Sequence, residues 1–255
     1  MADRDASGQG EANREYTTEE FMAAAIAREV RDGEQAAVGT ISPIPASGVL
    51  LAYFTHAPGV KPIIINSDDW WPFRGGSKEF YEFAQKARVD LFFLSGGQID
   101  RSGNLNIIAI GDHRHPRLRL PGGAGSAMLY YWAKRVVVFR IEHSARIFPE
   151  RVDMVTSPGS SPPSVVRPGW PWIVITSLCV FRFDPEAKVL RLQSIHPGVS
   201  PEELASRTGF ALDASPSTPV TPAPTDAELR VLRERVRPAV AKVYPVFARS
   251  AFLAA

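Results

Sequence analysis

Residues 95–127 read SGGQIDRSGNLNIIAIGDHRHPRLRLPGGAGSA, and the order of elements in this stretch decides the predicted fold. Residues 89–94, just before it, form a short apolar run whose β-branched and aromatic content is typical of a buried strand. Residues 105–110 predict a second strand. A glycine-rich loop at 121–127 then precedes a helical pattern at 128–134. Two strands that end in such a loop present free backbone N–H groups to an anion or an oxyanion.

Glycines and amide side chains are concentrated in this stretch. Gly96 and Gly97 end the first strand, and glycine there lets a backbone pass close to another molecule. Asn104 and Asn106 share one face of the second strand if it is extended. Together with Gln98, they are either hydrogen-bonding partners for a substrate or satisfied polar groups beside irregular backbone.

The segments before this stretch predict alternating strands and helices. Thr17 and Glu20 have the form of a capping box at the start of an amphipathic helix over residues 18–31. The elements that follow are a strand, a loop, a helix and a strand, at residues 35–41, 42–48, 49–56 and 62–65. This order predicts an α/β fold with an open, mostly parallel sheet flanked by helices.

Asn66 immediately follows the strand predicted at residues 62–65. Gly96 and Gly97 follow the strand predicted at 89–94 in the same way. Ligands of open parallel sheets bind at the carboxyl ends of the strands. The sequence therefore predicts that Asn66 and the glycine pair lie on one functional edge of the sheet.

The remainder of the chain continues the alternation. Further helices are predicted at 77–87, 202–208 and from Asp226 to about 236. Further strands are predicted at 135–139, 152–155, 173–183 and 189–193, with a long loop at 158–171. The predicted organisation is a flexible tail over 1–15, one domain over 16–213, a Pro/Thr-rich linker over 214–225, and a C-terminal helix and tail over 226–255 packed on the domain or on a partner.

Composition excludes several classes of protein. A chain of 255 residues can bury a sizeable core, and a hydrophobic fraction of 45% is ordinary for a globular protein. The formal net charge of +2 gives no support to general nucleic-acid binding. The charged N-terminus does not resemble a signal peptide, and no apolar run is long enough to span a membrane. One cysteine, Cys179, fits a reducing cytoplasm and predicts a buried, inert thiol.

Several polar and aromatic groups have competing interpretations. The paired Trp70 and Trp71 predict either core packing or a role in an acyl pocket or subunit interface. Histidines at 113 and 115 resemble a metal pair, but their spacing before a proline is poor ligand geometry, and no metal site is expected. His143 beside Glu142 predicts a partly buried surface pair.

Six motifs occur in an order that resembles one known family. They are GGQID (96–100), SGNLN (102–106), GDHRHP (111–116), RLPGGAGSA (119–127), AKRVVVFRIEH (133–143) and RVDMVTSPG (151–159). In this order the chain resembles the beta subunit of class I CoA-transferases, and is most similar to that of glutaconate CoA-transferase. It also resembles the beta subunit of the steroid ring-opening CoA hydrolase. The resemblance covers residues from about 16 to about 236, nearly the whole chain.

This resemblance implies a fold, a partner and a set of site residues. The implied fold is that of the NagB/RpiA/CoA-transferase-like proteins, and the implied assembly is a heterodimer or an α2β2 complex with an alpha subunit. Coenzyme A enters as a substrate, and no cofactor is expected. The implied catalytic residues are Gln98, Asn66 at the position of the family glutamate, and Gly125 as an oxyanion N–H donor. The residues implied to bind CoA or substrate are Gly96, Gly97, Asn104, Asn106, Gly122, Gly123, Ala124 and Ser126. Arg117 and Arg119 either meet CoA phosphates or are solvated.

The family reaction needs a carboxylate nucleophile, and Asn66 is not one. Asp68 or Asp69 could substitute only if the backbone were displaced by two or three residues. The first expectation is CoA transfer between a carboxylic acid and an acyl-CoA. The alternatives are acyl-CoA hydrolysis with the catalytic glutamate on the alpha subunit, acyl-CoA decarboxylation, and a non-catalytic CoA-binding subunit.

Overall fold

A computed structural model describes residues 15–253 of the chain. The tail predicted over residues 1–15 lies outside the described residues except for its last residue. Within the described part of the chain, no helix is long and apolar enough to cross a membrane.

Helices and short strands alternate along the first half of the chain, and strands dominate the middle. The helices are α1 (Thr18–Ala27), α2 (Pro43–Phe54), α3 (Gly76–Gln85), α4 (Ser126–Trp132), α5 (Pro201–Arg207), α6 (Asp226–Val231), a π-helical segment (Leu232–Val236), α7 (Arg237–Ala241) and α8 (Pro245–Ser250). The strands are β1 (Gln35–Val38), β2 (Lys61–Ile64), β3 (Leu91–Leu94), β4 (Gln98–Ile99), β5 (Leu105–Asn106), β6 (Ala109–Ile110), β7 (Leu118–Arg119), β8 (Arg135–Arg140), β9 (Trp170–Thr176), β10 (Cys179–Asp184) and β11 (Val189–Ile195).

One seven-stranded sheet has the order β11-β10-β9-β8-β3-β1-β2. Strands β2, β1, β3, β8 and β9 are parallel neighbours, and β10 and β11 add an antiparallel hairpin at the far edge. The predicted open, mostly parallel α/β sheet is confirmed. Two short two-stranded ribbons, β4-β5 and β6-β7, lie between β3 and α4 in the chain.

Each face of the sheet supports its own hydrophobic core, because successive side chains of a strand point to opposite faces. In β3, Phe93 belongs to the cluster that contains α1, α2 and the C-terminal helices. Its neighbour Phe92 belongs to the cluster that contains α3, α4 and α5. Both rings are at least 98% buried, and each such burial contributes on the order of 1.5–3 kcal/mol.

Helix α2 begins at Pro43, six residues before the helix predicted at 49–56. Pro43 and Pro45 indicated a loop, but proline is tolerated in the first turn, where the missing N–H has no helical partner. Gly48 explains the close contact of α2 with α1, because a β-carbon at Gly48 would lie 2.4 Å from Cγ2 of Ile26.

Two predicted strands are wrong. The strand predicted over residues 105–110 divides into β5 and β6, because the side chain of Asn106 accepts hydrogen bonds from the amides of Ile108 and Ala109, each at 3.2 Å. Residues 152–155 form no strand, because side-chain oxygens rather than the backbone of a neighbouring strand accept hydrogen bonds from amides there. The amide of Asp153 donates to Oε1 of Gln98 at 2.9 Å.

The chain after β11 packs on the domain rather than standing apart from it. In the Pro/Thr-rich segment 214–225, Val220 bridges Ile195 of β11, and Thr221 is buried. Helix α6 begins at Asp226 as predicted and is capped by Thr225, whose hydroxyl accepts from the Glu228 amide. Phe252, beyond α8, belongs to the core cluster that contains α1 and α2.

Candidate active site

The carboxyl ends of β2, β1 and β3 bring Asn66, Ile41 and Gly96 to one edge of the sheet. Val38 in β1 is level with Ile64 in β2 and with Phe93 in β3, so the three strands end side by side. Because α3 and α4 lead into strands of the same parallel sheet, both helices begin at this edge as well.

Asn66 occupies a strained turn at the end of β2. Its φ is +68°, in the left-handed region, and its side chain is exposed. Asparagine is one of the few residues that enter this region readily. The turn is closed by Ser67, whose amide donates to the Ile64 carbonyl at 3.2 Å and whose hydroxyl accepts from the Trp70 amide at 3.2 Å. The turn therefore presents the Asn66 amide outward at the carboxyl edge.

The carboxylates next to Asn66 have different environments. Asp69 makes an ion pair with Lys242, at 2.7 Å between Oδ2 and Nζ. Asp68 is exposed and has no hydrogen bond or ion pair with any residue that the structure describes. Of the two aspartates, Asp68 is the one available to a substrate.

The glycine-rich loop before α4 has a backbone that side chains would rarely permit. Gly122 has φ +81° and Ala124 has φ +39°. The Gly122 amide donates to the Ile107 carbonyl at 3.0 Å, which anchors the start of the loop. Among the described residues, the amides of Gly123, Ala124 and Gly125 have no hydrogen-bond acceptor, and no side chain caps α4. The loop can therefore donate backbone N–H groups to an oxyanion.

Two glycines of this loop are required by close packing. A β-carbon at Gly123 would lie 2.2 Å from Cδ1 of Ile107, and one at Gly125 would lie 2.4 Å from Cε1 of Tyr81. Ser126 is the first residue of α4, and its amide donates to the Gly123 carbonyl. Tyr81, on α3, was missed by sequence reasoning, because nothing in the pattern of α3 indicates a contact with a loop more than 40 residues later.

Gln98 and Asn106 form a buried pair. Oε1 of Gln98 accepts from Nδ2 of Asn106 at 2.9 Å, and the same nitrogen donates to the Ala109 carbonyl at 2.6 Å. Asn106 is completely buried, and Gln98 is 5% exposed. The amide atoms of Asn106 are thus used inside the protein, and its implied substrate contact stays a prediction. Gln98 holds the same network, since it also accepts from the Asp153 amide.

Asn104 holds a turn rather than facing the carboxyl edge. Its Nδ2 donates to Oδ2 of Asp100 at 3.1 Å, and its Oδ1 accepts from the Gly159 amide at 3.0 Å. It lies outside β5, so it does not share a strand face with Asn106 as predicted. In this chain Asn104 joins the turn at Asp100 to the loop at Gly159, and its implied substrate contact stays a prediction.

Gly96 and Gly97 lie at the carboxyl end of β3 as predicted, but atoms of this chain fill the space that their side chains would occupy. A β-carbon at Gly96 would lie 2.8 Å from the Gln98 carbonyl oxygen, and one at Gly97 would lie 2.4 Å from Cδ1 of Leu120. The Gly97 amide donates to the Asn106 carbonyl at 2.8 Å. Both glycines allow the chain around β4 and β7 to approach the end of β3.

A family model described as "Coenzyme A transferase" matches residues 61–206, more than half of the chain. A matching relative, the beta subunit of 3-oxoadipate CoA-transferase from Pseudomonas knackmussii, is 31% identical over 86% of this chain and 92% of that relative. The chain belongs to the coenzyme A transferase family. Within this enzyme family it is a beta subunit, and the resemblance found in the sequence is confirmed.

Other coenzyme A transferase relatives have different reactions in their names. The beta subunit of glutaconate CoA-transferase from Acidaminococcus fermentans is 30% identical over 88% of this chain and 93% of that relative. The cholesterol ring-cleaving hydrolase IpdB subunit of Rhodococcus jostii is 29% identical over 72% of this chain and 71% of that relative.

Solved structures of the family confirm the fold. The crystal structure of glutaconate coenzyme A-transferase from Acidaminococcus fermentans has a TM-score of 0.76 at 28% identity, covering 90% of this chain and 98% of that chain. The decarboxylase AibA/AibB has a TM-score of 0.71 at 26% identity, covering 92% of this chain and 98% of that chain. The transferase and the decarboxylase thus share this fold.

The tryptophan pair of this coenzyme A transferase subunit lies on both sides of the edge strand β2. Trp70 packs edge-on against Tyr53 of α2, with ring centroids 5.0 Å apart. Trp71 packs against Phe73 and Phe80, on the side of α3. Both indoles are partly exposed. The pair therefore packs on both cores beside Asn66 and still reaches the surface.

His143 and Cys179, beside the carboxyl ends of β8 and β9, are structural. His143 is buried, and its ring nitrogens contact the hydroxyls of Thr176 at 2.9 Å and Thr208 at 3.0 Å. The predicted surface pair with Glu142 is wrong, because Glu142 pairs with Arg146 instead. Burial raises the pKa of the Cys179 thiol far above its usual range, so this thiol is not a nucleophile.

Residues 111–117 form a largely exposed excursion between the short strands β6 and β7. His113 and His115 are exposed, and in residues 15–253 no cluster of three or more His, Cys, Asp or Glu side chains could hold a metal ion. Arg117 and Arg119 are also exposed, and neither forms an ion pair with a described carboxylate. They remain open to solvent or to an anionic ligand.

Proposed function

We propose that this beta subunit, with an alpha-type partner, transfers CoA between a carboxylic acid and an acyl-CoA. One observation carries the proposal. At the carboxyl edge of the sheet, α4 begins after the unused amides of Gly123, Ala124 and Gly125, and the exposed Asn66 follows β2. Such an edge is where open parallel sheets bind their ligands.

The loop and Asn66 have the chemistry that a thioester needs. When a nucleophile attacks the thioester carbonyl, negative charge develops on its oxygen. Fixed N–H donors lower the barrier to attack, because they are already oriented when that charge forms. The Gly125 amide is assigned to this oxygen, with the Asn66 side-chain amide as a second donor. In this scheme coenzyme A is a substrate, and the chain needs no cofactor.

Transfer also requires a carboxylate other than residue 66. The carboxylate attacks the thioester carbonyl and CoA thiolate leaves, which gives a mixed anhydride. The thiolate then attacks the enzyme acyl carbon, which releases the first carboxylic acid and leaves an enzyme–CoA thioester. Asn66 cannot form either intermediate. We assign the nucleophile to the partner subunit. Asp68 is the alternative in this chain, because it is exposed and unpaired, whereas Asp69 is paired with Lys242.

A second candidate function is supported by the same asparagine. Hydrolysis or decarboxylation of an acyl-CoA needs no carboxylate at position 66 if the reaction forms no covalent enzyme–CoA species. Asn66 would then polarise the thioester carbonyl. Relatives named as a ring-cleaving hydrolase and a decarboxylase show that the fold accommodates both reactions.

Assembly with an alpha subunit is proposed from the names of the transferase relatives, each of which is one of two kinds of subunit. A heterodimer or an α2β2 complex would place partner residues at the carboxyl edge, beside Asn66 and Asp68, which are exposed in this chain. With one buried cysteine and no helix in the described residues that could span a membrane, we place the complex in the cytoplasm.

One experiment on the copurified complex separates these functions. The complex is incubated with acyl-CoA, reduced with borohydride and digested, and the modified peptide is mapped. A reduced carboxylate on the partner supports transfer with the nucleophile there, and one on Asp68 assigns it to this chain. Unlabelled complex that releases free acid or CO₂ supports the second candidate. A complex that neither binds nor converts any acyl-CoA would refute both.

A further inference from the structure

Ile41 has a backbone conformation that its side chain opposes. The described residues include five non-glycine residues with positive φ, namely Ile41, Asn66, Ala87, Ala124 and Lys188. Ile41, at +57°, is the β-branched one. A β-branched residue is an outlier in the left-handed region, and holding it there costs free energy. Such strain persists where function requires it and the surroundings hold it.

Burial does not compensate for this strain. The side chain of Ile41 is 83% exposed, so most of the free energy that a buried isoleucine contributes is not gained in this chain. The loop is held from other positions. The Tyr244 hydroxyl lies 3.4 Å from the Gly39 carbonyl oxygen, the Ser42 hydroxyl donates to the Thr40 carbonyl, and α2 begins at Pro43. The fold thus holds an apolar side chain in a solvent-exposed position.

The position of Ile41 explains why it is held there. It follows β1, which lies between β2 and β3 in the sheet. β2 and β3 each lie about 4.8 Å from β1 in the sheet, and Asn66 and Gly96 follow their carboxyl ends. Three of the five strained residues, Ile41, Asn66 and Ala124, belong to the strand ends and glycine loop at this edge.

We propose that Ile41 is a specificity-determining residue that contacts the apolar part of the acyl group. This inference rests on the proposed function, since it assumes that the thioester lies between Asn66 and the glycine loop. An acyl chain that continues from the thioester across the strand ends meets Ile41 on β1. Contact with a methylene or methyl group there would favour the longer acyl-CoA by a factor of about ten.

The test uses the alpha–beta complex, with butyryl-CoA and free CoA as probes in titration calorimetry. Ile41→Asn removes the apolar side chain and keeps a residue that tolerates positive φ. We expect the melting temperature to be unchanged or higher, the Kd of butyryl-CoA to rise about tenfold, and the Kd of free CoA to stay the same. Ile41→Val should restore tight butyryl-CoA binding, since it keeps the apolar branch.

Val220→Asn is the matched control, because Val220 is 63% exposed and bridges β11, the outer strand on the other side of the sheet from β2. It should change neither Kd. If wild-type complex binds both probes and Ile41→Asn leaves their ratio unchanged, the inference about Ile41 is overturned while the proposed function stands. Loss of the alpha subunit from the Ile41→Asn complex would overturn it too, since Ile41 would then contact the partner. Wild-type complex that binds neither probe would remove the proposed function and this inference with it.

Discussion

The ring of Tyr81 lies directly against the backbone of Gly125. A β-carbon on Gly125 would stand 2.4 Å from Cε1 of Tyr81 and 3.1 Å from its hydroxyl oxygen. Helix α3 therefore sets the position of the loop whose amides are free. A side chain at residue 125 meets Tyr81 first, so substitution there displaces the loop instead of filling open space.

Gly125→Ala should consequently lower the turnover of acyl-CoA, on the order of a hundredfold, because displacement removes one oxyanion donor. Adding Tyr81→Ala should recover part of this loss by making room for the new methyl group. Adding Tyr81→Phe should not, since the ring remains. Steady-state kinetics of these variants form a double-mutant cycle. Additive effects in the Gly125→Ala/Tyr81→Ala variant would show that the contact does not position the loop.

Only residues that accept positive φ should replace Asn66 without loss of stability. Asn66→Gly removes the amide donor and keeps the turn, so turnover should fall about a hundredfold at unchanged melting temperature. Asn66→Ala should lose similar turnover and, in addition, about 1 kcal/mol of stability. Asn66→Asp should be the least active, since its charge opposes the developing oxyanion. Equal turnover in wild type and Asn66→Gly would exclude the amide from the reaction.

Asp68 and Asp69 provide a matched pair for locating the nucleophile. Asp69 is paired with Lys242 on the surface, and breaking such a pair costs under about 1 kcal/mol. If the partner supplies the carboxylate, Asp68→Asn and Asp69→Asn should both keep turnover within a few-fold of wild type. A loss of several orders of magnitude in Asp68→Asn alone, measured with the assembled complex, would place the nucleophile in this chain.

His143 should make stability depend on pH. Burial lowers its pKa to about 3, with the charge of Arg207 as a second cause, whereas an unfolded histidine titrates near 6.5. The unfolded state therefore binds more protons between these values. The stabilisation is complete above about pH 6.5 and is lost as pH falls toward 3, with a slope approaching 1.4 kcal/mol per pH unit, roughly.

Urea unfolding of the chain at pH 7.5, 6 and 5 measures this dependence. His143→Gln should flatten the slope, because the group that takes up the proton is gone. His115→Gln, at an exposed position, is the matched control for the loss of one imidazole. Identical slopes in wild type and His143→Gln would show that this histidine does not couple protonation to folding.

The order of elements could be predicted because hydrophobic runs and turn residues are local signals. The same signals placed Asn66 and Gly96 after strands that end at one edge of the sheet. They failed at residues 105–110, where one side chain, Asn106, competes with the backbone for hydrogen bonds. They also could not show that Asn104 and Asn106 are used internally, since their partners are set by folding.

Tyr81 and Ile41 show a different kind of failure. The importance of Tyr81 comes from a contact between helix α3 and a loop distant in sequence, which no local pattern encodes. That of Ile41 comes from its φ angle and its exposure, and isoleucine after a strand ordinarily indicates neither. The residues missed by sequence reasoning are therefore those whose role depends on tertiary packing or on backbone strain.

The capping box of α1 reaches across the molecule. Glu20 accepts from the Thr17 amide at 2.9 Å and from Nε of Arg233 at 2.8 Å while completely buried, and the Thr17 hydroxyl donates to the Ala251 carbonyl. The first turn of α1 and the C-terminal helices thus share the Glu20 carboxylate. If either of these segments opens, a buried charge loses its partner, at a cost of about 3–5 kcal/mol. The two ends of the described chain should therefore exchange their amide hydrogens with solvent in a single cooperative event.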